Sequence, residues 1–155
     1  MRTSTPGHWD RYWRDRTETI EEVYTNEARI LRQLESLPLQ GKPVLEVGAG
    51  SGRDSLELVR RGARVYVLDY VQSSFDVIRR LAAEQGLEVF CVCADATRSP
   101  FREGSFALLF HQGLMEHFRD PQPLLRENHR ILAEGGYCLV DVPQRYQSTP
   151  WRSIS

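Results

Sequence analysis

The stretch Val44–Ser55, VLEVGAGSGRDS, sets Gly48, Gly50 and Gly52 at alternate positions directly after a short apolar run. An apolar run that breaks into spaced glycines is a strand turning sharply where the backbone must come close to something. Glycine alone takes positive φ without steric cost and leaves no Cβ in the way. A dinucleotide fingerprint, G-x-G-x-x-G, would place its third glycine at position 53, where it lets a helix pack closely on the strand. That position is Arg53, and Gly52 comes one residue early. The spacing present is acid-x-G-x-G-x-G, with Glu46 leading it.

On either side of this loop the pattern alternates between periods. Ahead of it, HWDRYWRDR at 8–16 places Trp9, Tyr12 and Trp13 on one helical stripe. Ile20, Val23, Tyr24, Ile30, Leu31, Leu34 and Leu37 continue a helical pattern that ends near Pro38. After it come a helix over 52–61 closed by Gly62, the strand ARVYVLD, a helix in SSFDVIRRLAAEQG closed by Gly86, and the strand LEVFCVCAD. A loop with Pro100 and Gly104 leads to the strand FALLFH. Asp120 and Pro121 suit the N-cap and first position of a further helix, which Gly135 and Gly136 are expected to stop before the strand YCLVDV. This β-α alternation predicts an α/β fold: a doubly wound, mostly parallel sheet of five strands with helices on both faces.

Composition bounds the function classes. A chain of 155 residues is one domain's length, and 41% apolar with 26% charged residues is usual for a globular protein. A net charge of −1 gives no global attraction to nucleic acid or to an anionic membrane. No apolar run approaches the ~20 residues of a membrane span. The start, MRTSTPGHWD, lacks the apolar core of a secretory signal, so a cytoplasmic location is expected. Cys91, Cys93 and Cys138 complete no zinc spacing and are expected as small buried hydrophobes, with no metal implied.

The loop with its leading acid resembles motif I of the class I S-adenosylmethionine-dependent methyltransferases. The resemblance extends over about residues 40–142. It takes in Asp69 ending VYVLDY, Asp95 in CADA, the segment SPFREGSFALLFHQGLMEHF, and LLRENHRILAEGGYCLV leading into the fifth strand. It implies strand order 3-2-1-4-5 and S-adenosylmethionine as cofactor, with S-adenosylhomocysteine as product. It further implies that Gly48, Ala49, Gly50 and Gly52 cradle the cofactor, with Glu46 near its methionine end and Asp69 on the ribose hydroxyls. Tyr70, Asp95 and Ala96 would lie at the adenine, and His111 and Gln112 near the methyl donor.

Charge supports this over a phosphate-bearing ligand. Glu46, Asp69 and Asp95 stand at or near strand carboxyl ends, where ligands bind in such sheets. They would meet a pyrophosphate unfavourably, whereas the cofactor's sulfonium and ammonium are both cations.

Methyl transfer needs mainly approach geometry and a dry site, with a general base where the acceptor is a hydroxyl or a protonated amine. His111, Glu116 and His117 are the available groups, and His111, at a strand end, is the candidate base. The acceptor is expected to be a small molecule. Two other function classes stay open, a cofactor-binding module without catalysis and a nicotinamide-dependent oxidoreductase.

The segment HWDRYW looks like the aromatic lead segment of small-molecule methyltransferases, where it would help close the cofactor pocket; a helix that merely packs its aromatic stripe is the alternative. Arg11, Arg14 and Arg16 suit a solvated charged face. The expected organisation is a helical segment over 1–40, a cofactor-binding core over 41–142 and a tail over 143–155.

Two departures from the family pattern stand out. Ala107 replaces the usual acid of the fourth strand. Strands six and seven of the family's seven-stranded order, 3-2-1-4-5-7-6, have no candidate. That leaves an apolar edge at strand five, open to a second copy of the chain or to cover by Tyr146 and Trp151 of the tail. Truncation is the expected explanation.

Overall fold

The computed structural model describes residues 5–14, 29–48, 50 and 52–142. The helical pattern around Ile20, Val23 and Tyr24, as well as Arg16, Ala49 and the tail with Tyr146 and Trp151, lies outside them.

Five strands form one parallel sheet in the order β3-β2-β1-β4-β5. The strands are β1 (Pro43–Val47), β2 (Arg64–Asp69), β3 (Phe90–Cys93), β4 (Phe106–Gln112) and β5 (Leu132–Asp141). Among the described residues five α-helices accompany them: α1 (Pro6–Arg14), α2 (Arg29–Gln33), α3 (Arg53–Arg60), α4 (Phe75–Glu84) and α5 (Gln122–Ile131). The predicted α/β class, strand order and two-sided helical cover are all present.

Side-chain alternation explains the layers. Val44, Val65, Val67, Leu108 and Phe110 turn to one face, where they meet Ile30 and Leu31 of α2, Leu56 and Leu58 of α3, and Phe75 and Ile78 of α4. Leu45, Val47, Leu68 and Leu109 turn to the other face, against Leu124 and Ile131 of α5. Successive strand residues point to opposite faces, so central strands buried on both sides need near-continuous apolar runs. β1 and β4 have them.

The cysteines correct an expectation. Cys93 and Cys138 are exposed and Cys91 is half-buried, rather than small residues of the interior. β3 and β5 are the outer strands, and the helices cover the middle of the sheet better than its rims. Tyr137, also on β5, is 55% exposed for the same reason.

The glycine pair near the end of the chain gives a second correction. α5 stops at Ile131, and Leu132 is already extended at φ −78° and ψ 132°. Gly135 and Gly136 therefore do not stop the helix. They shape an irregularity where β5 joins β4, between the register pairs Phe106–Leu132 and Leu108–Tyr137. Gly135 has φ 71°. A Cβ on Gly136 would lie 2.8 Å from the Ala133 carbonyl oxygen and 3.0 Å from that of Ala107, so no side chain fits. The helix starts one residue later than expected, with Pro121 as its cap and Gln122 as its first residue, and Asp120 Oδ1 accepts the Gln122 N–H at 3.0 Å from just ahead of that cap. The third strand is shorter than LEVFCVCAD, because Leu87 and Val89 pack against the core outside the ladder.

Candidate functional site

Because every strand runs the same way, the carboxyl ends of all five line one rim. The order reverses direction between β1 and β4, and such a switch point opens a crevice in a doubly wound sheet. The glycine loop sits there. Gly48, Gly50 and Gly52 have φ of 87°, 50° and 70°, a left-handed course that L side chains rarely adopt. The Gly48 N–H still extends the β1–β2 ladder, donating to the Leu68 carbonyl at 2.7 Å. Gly52 is the residue before α3, and a Cβ on it would fall 2.4 Å from two carbons of Ile78. Gly50 lies over Glu46, whose Oε1 would be 4.0 Å from a Cβ at that position.

Glu46 is only 7% exposed and Asp54, on the first turn of α3, only 4%. Ser55 Oγ donates to Glu46 Oε2. Burial pushes the Glu46 carboxyl up to about 8, against the Ser55 hydrogen bond, and the charges of Asp54 and Asp69 add to the rise. Gln112, the last residue of β4, donates from Nε2 to Asp54 Oδ2 at 2.6 Å. Asp69 ends β2, and its Oδ1 accepts the Val71 N–H at 2.9 Å, which orients the carboxylate beside half-buried Tyr70. Asp95 lies exposed beyond β3, its Oδ1 taking both the N–H and the hydroxyl of Thr97 at 2.9 Å, and Ala96 beside it is buried.

His111 is on the other face of the sheet from Glu46, wholly buried against α5. Asn128 Nδ2 stands 3.3 Å from its Nε2. If the amide donates there, the neutral ring carries its proton on Nδ1. Burial holds the imidazole down at about 4. The folded state thus takes up this proton at lower pH than an unfolded chain, whose histidine titrates near 6.5. The resulting stability is fully present above pH 6.5 and is lost as pH falls to 4, by about 3 kcal/mol in all. Chemical unfolding of the native chain and of His111→Gln at several pH values checks this. The native chain's advantage shrinks across that window, and a constant advantage would refute the linkage.

A fastening at the amino-terminal end completes the rim. Ser73 Oγ, after β2, donates to Asp10 of α1 at 2.5 Å, and the Trp9 ring meets His117, after β4, edge-on at 5.0 Å. Arg14 pairs with Asp10 at 2.6 Å while remaining mostly exposed, as expected of a solvated face. Glu116 is half-buried, with its Oε1 3.4 Å from where a Gly113 Cβ would lie.

The structure therefore gathers the glycines, Glu46, Asp69, Tyr70 and Gln112 on one rim, sets Asp95 and Ala96 beyond β3, and turns His111 to the opposite face. Asp54, Ser55 and Asn128 were not singled out from the sequence, although a signal existed. Asp54 stands one turn before buried Leu58, and Asn128 one turn after buried Leu124. A polar residue on a buried helical stripe must be met by a partner.

The family described as "Methyltransferase domain" matches residues 45–140. The demethylmenaquinone methyltransferase of Clavibacter sepedonicus is 31% identical over 128 residues, which are 81% of this chain and 51% of that protein. The ubiquinone biosynthesis O-methyltransferase of Coxiella burnetii is 31% identical over 111 residues, 72% of this chain and 47% of that protein. The chain thus spans about half the length of these curated relatives. A crystal structure of a SAM-dependent methyltransferase from Aquifex aeolicus matches with a TM-score of 0.67 at 19% identity, over 85% of this chain and 72% of that one, a likeness of fold.

Proposed function

This chain belongs to the S-adenosylmethionine-dependent methyltransferases, and from that premise we propose that it transfers the methyl group to a small-molecule acceptor, with the cofactor held at the rim of β1, β2 and β3. One observation carries the placement: three left-handed glycines follow β1 at the switch point, the middle one, Gly50, beside the buried carboxyl of Glu46. The donor set fits this cofactor. Backbone free of Cβ atoms admits a close ligand, the start of α3 favours its carboxylate, and the acids suit its cationic groups. The small-molecule acceptor is supported by the relatives' names, which refer to demethylmenaquinone and to ubiquinone biosynthesis.

Bound S-adenosylmethionine supplies a methyl group already activated on a sulfonium, with a neutral thioether as leaving group. What remains for the chain is binding, orientation and exclusion of water. Asp69, fixed by the Val71 N–H, presents acceptor oxygens to the two ribose hydroxyls. Tyr70, Asp95 and Ala96 border the adenine. Gln112 holds Asp54 at the methionine end. His111, buried and neutral against Asn128, positions the end of β4 rather than taking a proton. α1, fastened at Ser73 and His117, covers the rim.

Calorimetric titration with S-adenosylhomocysteine and with NAD tests the reading. A binding isotherm with the first and none with the second is expected; the reverse would assign the site to a nicotinamide cofactor.

A further inference from the structure

Glu46 combines features that ordinarily cannot coexist with a charge. It is almost wholly buried, and a carboxylate without a counter-ion in such a place costs several kcal/mol, so the group stays neutral instead. The groups acting on it are Ser55 and Asp54 from α3 and Asp69 from the end of β2. Its register partners, Val67 on β2 and Phe110 on β4, are apolar, and Gln112 of β4 carries no charge. His111 lies on the far face of the sheet. Among the described residues the surroundings therefore offer two like charges and one neutral hydroxyl. Oε2 is occupied by the Ser55 hydroxyl, while Oε1 lies next to Gly50, 4.0 Å from where a Cβ on that glycine would stand.

We propose that Glu46 makes cofactor binding proton-coupled: its carboxyl is protonated in the free protein and gives that proton to solvent when the ligand's ammonium group arrives. The step rests on the assignment of this rim to the cofactor. The O–H bond of Glu46 breaks, the proton passes to buffer, and the carboxylate left behind accepts a hydrogen bond from the ammonium. An ammonium is suited to this exchange and the sulfonium is not, because only the ammonium brings N–H donors to Oε1. A neighbouring cation also favours the ionised carboxyl, reversing the effect of burial. The free value near 8 leaves Glu46 mostly protonated at pH 7. Glu46 thereby selects ligands that carry the amino-acid portion over nucleosides that lack it.

The experiment is titration calorimetry of the whole chain with S-adenosylhomocysteine, which has the ammonium but no sulfonium, in buffers of different ionisation enthalpy. About one proton released per ligand at pH 7 is expected, with affinity tightening about ten-fold from pH 6 to pH 7. 5′-Methylthioadenosine, which has no ammonium, binds with almost no proton released. Glu46→Gln binds S-adenosylhomocysteine with no release and a flat pH profile. Binding to the native chain with a buffer-independent heat overturns the proton coupling and leaves the site assignment standing. Absence of S-adenosylhomocysteine binding to the native chain overturns both.

Discussion

Gly52→Val lowers the stability of the chain by about 2–5 kcal/mol, the sum of two costs. The first is conformational: position 52 has φ 70°, and an L residue in the left-handed region pays roughly 1–2 kcal/mol. The second is space. The new Cβ would meet Ile78 Cδ1 and Cγ1 at 2.4 Å and its Cβ at 2.8 Å. Ile78 is wholly buried between α4 and the sheet, so it cannot move aside freely, and overpacking of this kind costs about 1–3 kcal/mol. Urea unfolding measures the loss as a lower midpoint at unchanged slope. Gly50→Ala is the control: its φ is 50°, and its Cβ would approach only Glu46 Oε1, at 4.0 Å. A Gly52→Val chain as stable as Gly50→Ala would mean that the contact with Ile78 is not as described.

Asp69→Asn weakens S-adenosylhomocysteine binding by about 10- to 100-fold, while stability changes by less than about 1 kcal/mol. The asparagine carbonyl can still accept the Val71 N–H that Asp69 Oδ1 takes at 2.9 Å, so the turn after β2 is kept. In the proposed placement the other oxygen becomes an amide NH₂, a donor facing ribose hydroxyls that need an acceptor. Hydrogen bonds to a charged group are worth about 1.5–3 kcal/mol, which sets the range. Calorimetry gives the affinity and thermal unfolding the stability. Unchanged affinity removes Asp69 from the ribose.

The strands and the loop were legible because they rest on local signals, whereas the strand order came with the family resemblance. Apolar runs at β1 and β4 report burial on both faces, and alternating glycines report a left-handed turn. What was not legible depends on position in space. VFCVCAD has the pattern of an interior strand, yet β3 is outermost, so Cys93 is exposed. Gly135 and Gly136 look like a helix stop, yet what requires Gly136 is the Ala107 carbonyl of a neighbouring strand. The carboxyls at the rim were foreseen singly as Glu46, Asp69 and Asp95. That Asp54 joins Glu46 follows from the helical turn that brings residues 54 and 55 back over β1; the raised proton affinity of Glu46 comes first from its burial, with Asp54 adding to it and the Ser55 hydrogen bond opposing it.

The hydrogen bond from Gln112 to Asp54 joins the two halves of the sheet, since Gln112 belongs to β4 and Asp54 to the helix that follows β1. It crosses the very gap at which the strand order reverses. One glutamine side chain ending on one carboxylate thus spans the crevice at its mouth. β1 and β4 are held at strand spacing by their own ladder as far as Glu46 and Phe110, so the bond is a side-chain tie just past the point where that ladder ends, and a residue one methylene shorter at position 112 would lose it.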